Sequence, residues 1–181
     1  MIVFISGGAK NGKSSLAQDL AVKLAGDGKH YYIATMIPSD QEDLNRIRHH
    51  RDDREGMGFE TVECGKDILS CLERVEANAT FLLDSATALL LNELFPDPVG
   101  CEMDLAAAER CANDLVTFAT SVGNLVIVSD YIYSDAARYD ALTRTYQACL
   151  ARIDRKLAQV SDMVIEVAAG ICTLHKGVLP T

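Results

Sequence analysis

Residues 7–14 read Gly-Gly-Ala-Lys-Asn-Gly-Lys-Ser, the pattern G-x-x-x-x-G-K-[ST], directly after the apolar run Ile2-Val3-Phe4-Ile5 and before a helical pattern. That order demands a strand, a tight phosphate-binding turn and a helix in succession, which commits the start of the chain to an α/β unit. Gly7 and Gly12 open backbone conformations closed to other residues, so successive amide N–H groups converge on phosphate oxygens at a helix N-terminus. The loop as a whole, Gly7, Gly8, Ala9, Lys10, Asn11, Gly12, Lys13 and Ser14, is therefore the candidate nucleotide contact. Lys13 is expected to reach the β- and γ-phosphates as a catalytic cation, and Ser14 to offer its hydroxyl to a magnesium ion held between them. The bland alternative is a glycine-rich turn that only links strand to helix.

The chain has 181 residues, a length suited to a single domain spanning 1–181, and no linker or repeat divides it. Its apolar opening is about five residues long and runs straight into the loop, so it reads as a strand rather than a signal peptide. Nothing approaches a membrane span. Cys64, Cys71, Cys101, Cys111, Cys149 and Cys172 are spread out with no C-x-x-C pair, which suits reduced thiols in the cytoplasm and predicts neither disulfides nor zinc. A net charge of −9 opposes an extended nucleic-acid surface. A small nucleotide needs only local positive charge, and here it is local: Lys13 in the loop, with Arg46, Arg48, Arg51 and Arg54 crowded into one segment.

Strand-like and helix-like stretches alternate along the chain, the pattern of a parallel sheet covered on both faces. Strands are expected near 2–6, 30–35, 59–64, 80–84, 124–129, 163–168 and 172–176, the last two as a hairpin. Leu16, Leu20 and Leu24, with Ala17, Ala21 and Ala25 beside them, predict that the helix after the loop packs one face on the sheet and ends at Gly26-Asp27-Gly28. Ser39 and Glu42 form a capping box, predicting a second helix from Asp40 toward Arg54 that Gly56 stops. Further helices are expected near 86–95, 103–121 and 136–160. The expected fold is α/β: a phosphate-loop NTPase of the RecA-like kind, three-layer α/β/α, with a mostly parallel sheet and a C-terminal antiparallel hairpin.

Phe81-Leu82-Leu83-Asp84 reads as a buried strand ending in a carboxylate, the arrangement by which phosphate-loop enzymes place an acid beside magnesium. Asp84 is thus a second metal candidate with Ser14; Asp130, after Leu125-Val126-Ile127-Val128-Ser129, competes in the same form and ranks lower. An Asp closing a strand is also a common turn or cap residue. The most unusual segment is Arg46-Ile47-Arg48-His49-His50-Arg51-Asp52-Asp53-Arg54. Helical spacing sets Arg46, His50 and Arg54 on one stripe, so a nucleophilic imidazole sits among guanidiniums suited to phosphate oxygens. Spacing alone favours a plainer reading, a solvated helix face whose Asp and Arg residues pair in solution. His30 and His175 fall at strand edges as ordinary polar residues without metal-ligand spacing.

Taken together, Gly7-Gly8-Ala9 through Gly12-Lys13-Ser14, Tyr32-Ile33-Ala34-Thr35, Arg46-Ile47-x-x-His50-Arg51-x-x-Arg54, Thr61-x-Glu63, and Asp84-x-x-Thr87 with Asn92 carry a resemblance. In order and spacing the chain resembles the bifunctional adenosylcobinamide kinase/adenosylcobinamide-phosphate guanylyltransferase family of cobalamin biosynthesis. The resemblance implies phosphorylation of adenosylcobinamide by ATP or GTP, then transfer of GMP from GTP onto that phosphate through a guanylylated His50, with His49 an auxiliary neighbour. It also implies nucleotide contacts at the loop, at Ala34, Thr35 and Met36, at Arg51, Asp52, Asp53 and Arg54, and at Glu63 and Asp84. Magnesium, small-molecule partners only, and a homo-oligomer such as a trimer follow from it as well. The second half departs from the family pattern. Asp130-Tyr131-Ile132-Tyr133-Ser134-Asp135 stands where the family usually reads Asn-Glu-Val-Gly-x-Gly; Tyr146 to Asp154 replaces a segment resembling Phe-Arg-Asp-x-x-Gly-x-x-Asn, though Arg144 still matches; and Glu55 replaces a proline. Two other readings stand beside this one: a phosphate-loop kinase for another small alcohol, with the histidine block as a phosphate clamp, and a nucleotide-dependent switch or assembly module.

Overall fold

Strands that read as near-continuous apolar runs belong inside a sheet covered on both faces. Val3, Phe4 and Ile5 of β1 (Ile2–Gly7), Phe81, Leu82 and Leu83 of β4 (Thr80–Asp84), and Leu125 to Val128 of β5 (Asn124–Asp130) are all buried. The computed structural model describes residues 1–97, 102–133 and 138–178. With β2 (His30–Ala34), β3 (Glu60–Glu63), β6 (Met163–Ala168) and β7 (Ile171–Lys176), the strands form one sheet in the order β3-β2-β4-β5-β1-β6-β7. Every neighbouring pair is parallel except β6 and β7, which form the expected antiparallel hairpin. Ala169 and Gly170, both at positive φ, turn it.

One face of the sheet is covered by α1 (Lys13–Ala25), whose Ala17, Leu20 and Ala21 pack on Val3, Ile5, Leu82 and Val126. On the other face lie α3 (Ala86–Leu94), α4 (Leu105–Ser121) and α5 (Ala141–Val160), which bring Leu89, Leu90, Leu115, Phe118, Leu150 and Leu157 against Phe4, Phe81, Leu83 and Ile127. These are the three layers expected of the fold. Among the described residues no helix is long and apolar enough to cross a membrane. Cys64, Cys71, Cys111, Cys149 and Cys172 are free thiols; Cys101 lies outside the described residues.

Several local expectations are corrected. The packing of α1 is not among them: Ala17, Leu20 and Ala21 are buried on the sheet, and Leu16 and Leu24 pack partly buried against the same cluster. The second helix, α2 (Gln41–Asp52), is capped by Asp40, not Ser39: the Asp40 carboxylate accepts from the Asp43 amide at 2.8 Å. Ser39 donates from its amide and hydroxyl to Asp43 Oδ2, so Asp43 takes the part expected of Glu42, one residue later. The last helix starts at Ala141, behind the Asp140 cap, rather than near 136; residues 136 and 137 lie outside the described residues, as do Ser134 and Asp135. A short 3₁₀ helix, Ile68–Glu73, has no clear periodic signal in the sequence.

Candidate nucleotide-binding and catalytic site

The carboxyl ends of β1, β5, β4 and β2 open on one cavity of about 780 Å³, on the face that α1 covers. Ligands in open α/β sheets bind at this end of the strands. Between β1 and α1 the chain turns through Lys10 and Gly12, both at positive φ, and delivers the first amides of α1 to the cavity. A side chain at Gly7 would collide with the Val167 carbonyl and the stem of Lys13, so close approach demands glycine there. Lys13 is only 5% exposed; its ammonium donates to the Gly8 carbonyl at 2.6 Å and pairs with Asp130 Oδ1 at 2.7 Å.

Asp130 is held from behind. Its amide donates to Thr87 Oγ1 at 2.8 Å, and the Thr87 hydroxyl meets Ser129 Oγ at 3.3 Å. Ser129 donates to Asp154 Oδ1 and Tyr133 to Asp154 Oδ2, each at 2.8 Å. Burial pushes the Asp154 carboxyl up to about 6, against the downward pull of those two hydroxyl donors. One strand farther along, Asp84 Oδ2 accepts from the Tyr32 hydroxyl at 3.1 Å. Over the Tyr32 ring lies the Arg54 guanidinium, its Cζ 3.3 Å from the centroid. Burial lowers the pKa of Arg54, and burial together with the Asp84 charge raises that of Tyr32 far above the ordinary phenol, so Tyr32 remains a donor.

His50 comes to the same cavity from the last turn of α2, beside Arg51 and Asp53. Its Nδ1 is buried with no hydrogen-bond partner, and so is Nη1 of Arg54. Arg51 pairs with Glu63 at 3.2 Å, tying the helix end to the end of β3. The expected stripe of Arg46, His50 and Arg54 does face one cavity, although α2 ends at Asp52 and Arg54 lies past its end, buried. Arg46, at the far end, pairs with Glu42 and Asp43, much as the plainer solvated-face reading has it. His49, largely exposed and 3.5 Å from Asp53, also lines the cavity.

Of the candidate residues, Ala9 to Ser14 in the loop line the cavity, as do Ala34 and Met36 after β2 and, farther on, His50, Arg51, Asp53, Arg54, Glu63 and Asp84. Gly7, Gly8, Thr35 and Asp52 do not. The fully buried Thr35 hydroxyl instead donates to the Ser85 carbonyl at 2.8 Å and accepts from the Ser85 amide, clamping the ends of β2 and β4 together. Asn92 completes that clamp by donating to the carbonyls of Thr35 and Gly65, each at 2.8 Å. Sequence reasoning missed the parts played by Tyr32 and Asp154. Tyr32 stands inside a quoted motif, but an aromatic residue in a strand reads first as core; Asp154 lies mid-helix, with no local signal.

The donor set fits a magnesium ion bound together with a triphosphate. Ser14 and Asp84 offer hard oxygen ligands to the cavity, and among the described residues no group of three His, Cys, Asp or Glu forms a cage of its own. An ion held by one or two protein oxygens, with phosphates and water supplying the rest, matches that set.

Comparison with known proteins bears on the chain as a whole. The family model described as "Cobinamide kinase / cobinamide phosphate guanyltransferase" matches residues 3–174. The bifunctional adenosylcobalamin biosynthesis protein CobU of Salmonella typhimurium is 28% identical over 183 residues, covering 94% of this chain and 97% of that protein. CobP of Pseudomonas aeruginosa, which bears the same description, is 29% identical over 177 residues, covering 96% of each. Among solved structures, the KaiC-like protein PH0186 from Pyrococcus horikoshii superposes with a TM-score of 0.55 at 16% identity, covering 97% of this chain and 78% of that one. This structural likeness establishes the phosphate-loop NTPase fold. With a family model matched across nearly its whole length, the chain belongs to the cobinamide kinase/cobinamide phosphate guanyltransferase family.

Proposed function

We propose that this chain, acting as one domain over 1–181, phosphorylates the hydroxyl of the adenosylcobinamide side arm and then transfers GMP from GTP onto the new phosphate. The observation that carries the reading is that His50 and the phosphate loop open on one cavity in a chain of this family. In the first reaction the acceptor hydroxyl oxygen attacks the γ-phosphorus of ATP or GTP, its proton is lost, and the nucleoside diphosphate leaves. Loop amides and Lys13 hold the phosphates in line and take up charge at the leaving oxygen. In the second, a nitrogen of His50 attacks the α-phosphorus of GTP and pyrophosphate leaves. An oxygen of the acceptor phosphate then displaces the imidazole, giving the GDP-linked product and restoring His50. Arg51 and Arg54 flank the phosphates during both displacements. Ser14 and Asp84 would hold magnesium together with the triphosphate, and the ion would supply charge neutralisation on the phosphate oxygens. The reading carries with it a cytoplasmic homo-oligomer, a trimer by family resemblance, whose partners are nucleoside triphosphate and corrinoid.

The test is covalent labelling. Incubated with magnesium and GTP labelled at the α-phosphate, the denatured protein is expected to retain acid-labile label, and with γ-labelled GTP to retain none. His50→Ala removes the α-label. Absence of α-label in protein that demonstrably binds GTP overturns the guanylyl-histidine.

A further inference from the structure

Tyr32 lines the cavity and touches both Arg54 and Asp84. It lies on β2, between β3 and β4, with its side chain on the α1 face of the sheet and only 4% exposed. Phe59 presses on it edge-on, at 6.3 Å between ring centroids and 79° between planes, and Phe59 in turn packs against His30. His30 Nε2 lies 2.8 Å from the Met57 carbonyl, which fixes the return loop from α2 to β3; Gly56 and Gly58 turn that loop at positive φ. The Tyr32 ring is thus immobilised from its own strand, from Phe59 and from the loop that carries Arg54.

A guanidinium 3.3 Å above a ring is in full stacking contact, well inside the range over which cations are attracted to aromatic faces. Among the described residues Arg54 makes no ion pair, although the Asp84 and Asp53 charges act on it, and its buried Nη1 keeps an unused donor beside a cavity lined by the phosphate loop. A buried donor with no partner is costly unless something fills it, and a phosphate oxygen is the complementary group. The same tyrosine reaches through its hydroxyl to Asp84, on the next strand.

We propose that Tyr32 is the positioning residue of the guanylyl-transfer reaction: its ring holds Arg54 flat and aimed at the nucleotide phosphates, while its hydroxyl fixes Asp84 in register with that guanidinium. The inference rests on the function proposed above. It assigns the tyrosine no contact with reacting atoms. The ring and the hydroxyl have separable duties, so different substitutions separate them. Tyr32→Phe keeps the platform and frees Asp84; Tyr32→Leu removes both.

Two quantities test this: the GTP dissociation constant from equilibrium dialysis in EDTA, and the single-turnover rate of α-label appearing on the protein with magnesium. Tyr32→Leu and Arg54→Ala are each expected to weaken GTP about tenfold in EDTA, and the double variant to be no weaker than Arg54→Ala alone, since the ring acts only through that guanidinium. Tyr32→Phe is expected to bind GTP in EDTA as the parent does and to label several-fold more slowly. Parent-like GTP affinity in Tyr32→Leu, or additive losses in the double variant, overturns the proposal, because a tyrosine that merely fills the core shows no coupling to Arg54. Melting curves accompany every variant, and Tyr32→Met takes the place of Tyr32→Leu if the latter does not fold. A parent protein that takes up no α-label defeats the guanylyl-transfer reading, while the affinity cycle in EDTA still decides whether Tyr32 positions Arg54.

Discussion

Lys13 and Asp130 make the most consequential contact at the scale of single residues. The ammonium is almost wholly buried, and its charge is met by one carboxylate at 2.7 Å and one carbonyl. A triphosphate cradled by the loop must therefore share its lysine with an anion already in place, and two anions on one cation repel. In the family pattern the corresponding segment opens with Asn, which has no such charge. Asp130→Asn keeps the backbone amide that Thr87 anchors and removes only the charge. GTP is expected to bind roughly five- to tenfold more tightly, about 1 kcal/mol, because the lysine then serves the phosphates alone. The nucleotide-free variant is expected to melt lower, as the buried ammonium loses its counter-charge, and to regain more stability on adding GTP than the parent does. Calorimetric titration reads the affinity; an unchanged or weaker affinity defeats the argument.

Elements, rather than residues, carry the next constraint: α5 is joined to the end of β5 by the buried Asp154, which accepts from Ser129 and Tyr133. Its carboxyl lies at about 6 in the fold against an ordinary 3.8, so between those values the folded chain holds a proton the unfolded chain has lost. Stability from this group is fully present below about pH 4, falls as pH rises toward 6, and is gone above it. At ~1.4 kcal/mol per pH unit the swing is about 2–3 kcal/mol. Asp154→Asn retains an acceptor for Tyr133 and does not titrate. The stability of the parent relative to this variant, from urea unfolding at pH 4 and pH 7, is expected to drop by about that amount; a pH-independent difference refutes it. The same elements show what a sequence makes legible. All seven strands and four of the five helices lie within a residue or two of their expected places, because apolar runs, the phosphate loop and glycine stops are local signals. The start of α5 falls about five residues later than expected, since Asp140 as a cap competes with several other polar residues before it. The stripe of Arg46, His50 and Arg54 presumes a helix continuing to Arg54. Ser39 and Asp40 are both acceptable caps, which leaves the start of α2 open by one position, and nothing local announces that Arg54 is claimed by a ring in β2. Hydrogen bonds between segments distant in sequence, such as Thr35 to Ser85, leave no periodic trace at all.

Across the whole molecule, the sheet order turns scattered charges into a row. β2, β4, β5 and β1 are consecutive neighbours, and their ends present in turn Arg54 stacked on Tyr32, then Asp84, Asp130 and Lys13. With neighbouring strands about 4.8 Å apart, β1 and β2 are separated by roughly 14 Å, a gap that side chains close from both sides. In a chain whose net charge is −9, this row sets two cations, each with a carboxylate near it, where phosphates must go. On the proposed function it also leaves one cavity to serve two reactions, since the loop proposed to grip the β- and γ-phosphates and the histidine proposed to attack an α-phosphorus line the same walls. On that proposal, a triphosphate seated on Lys13 for phosphoryl transfer occupies the lysine that GTP would use for guanylyl transfer. An ATP analogue with a methylene bridge between its β- and γ-phosphates is therefore expected to inhibit labelling of His50 by α-labelled GTP competitively. Its effect should vanish at high GTP, with the maximal labelling rate unchanged. Inhibition that lowers the maximal rate and leaves the half-saturating GTP concentration alone would mean that the analogue binds elsewhere, and that the row of strand ends serves only one of the two nucleotides.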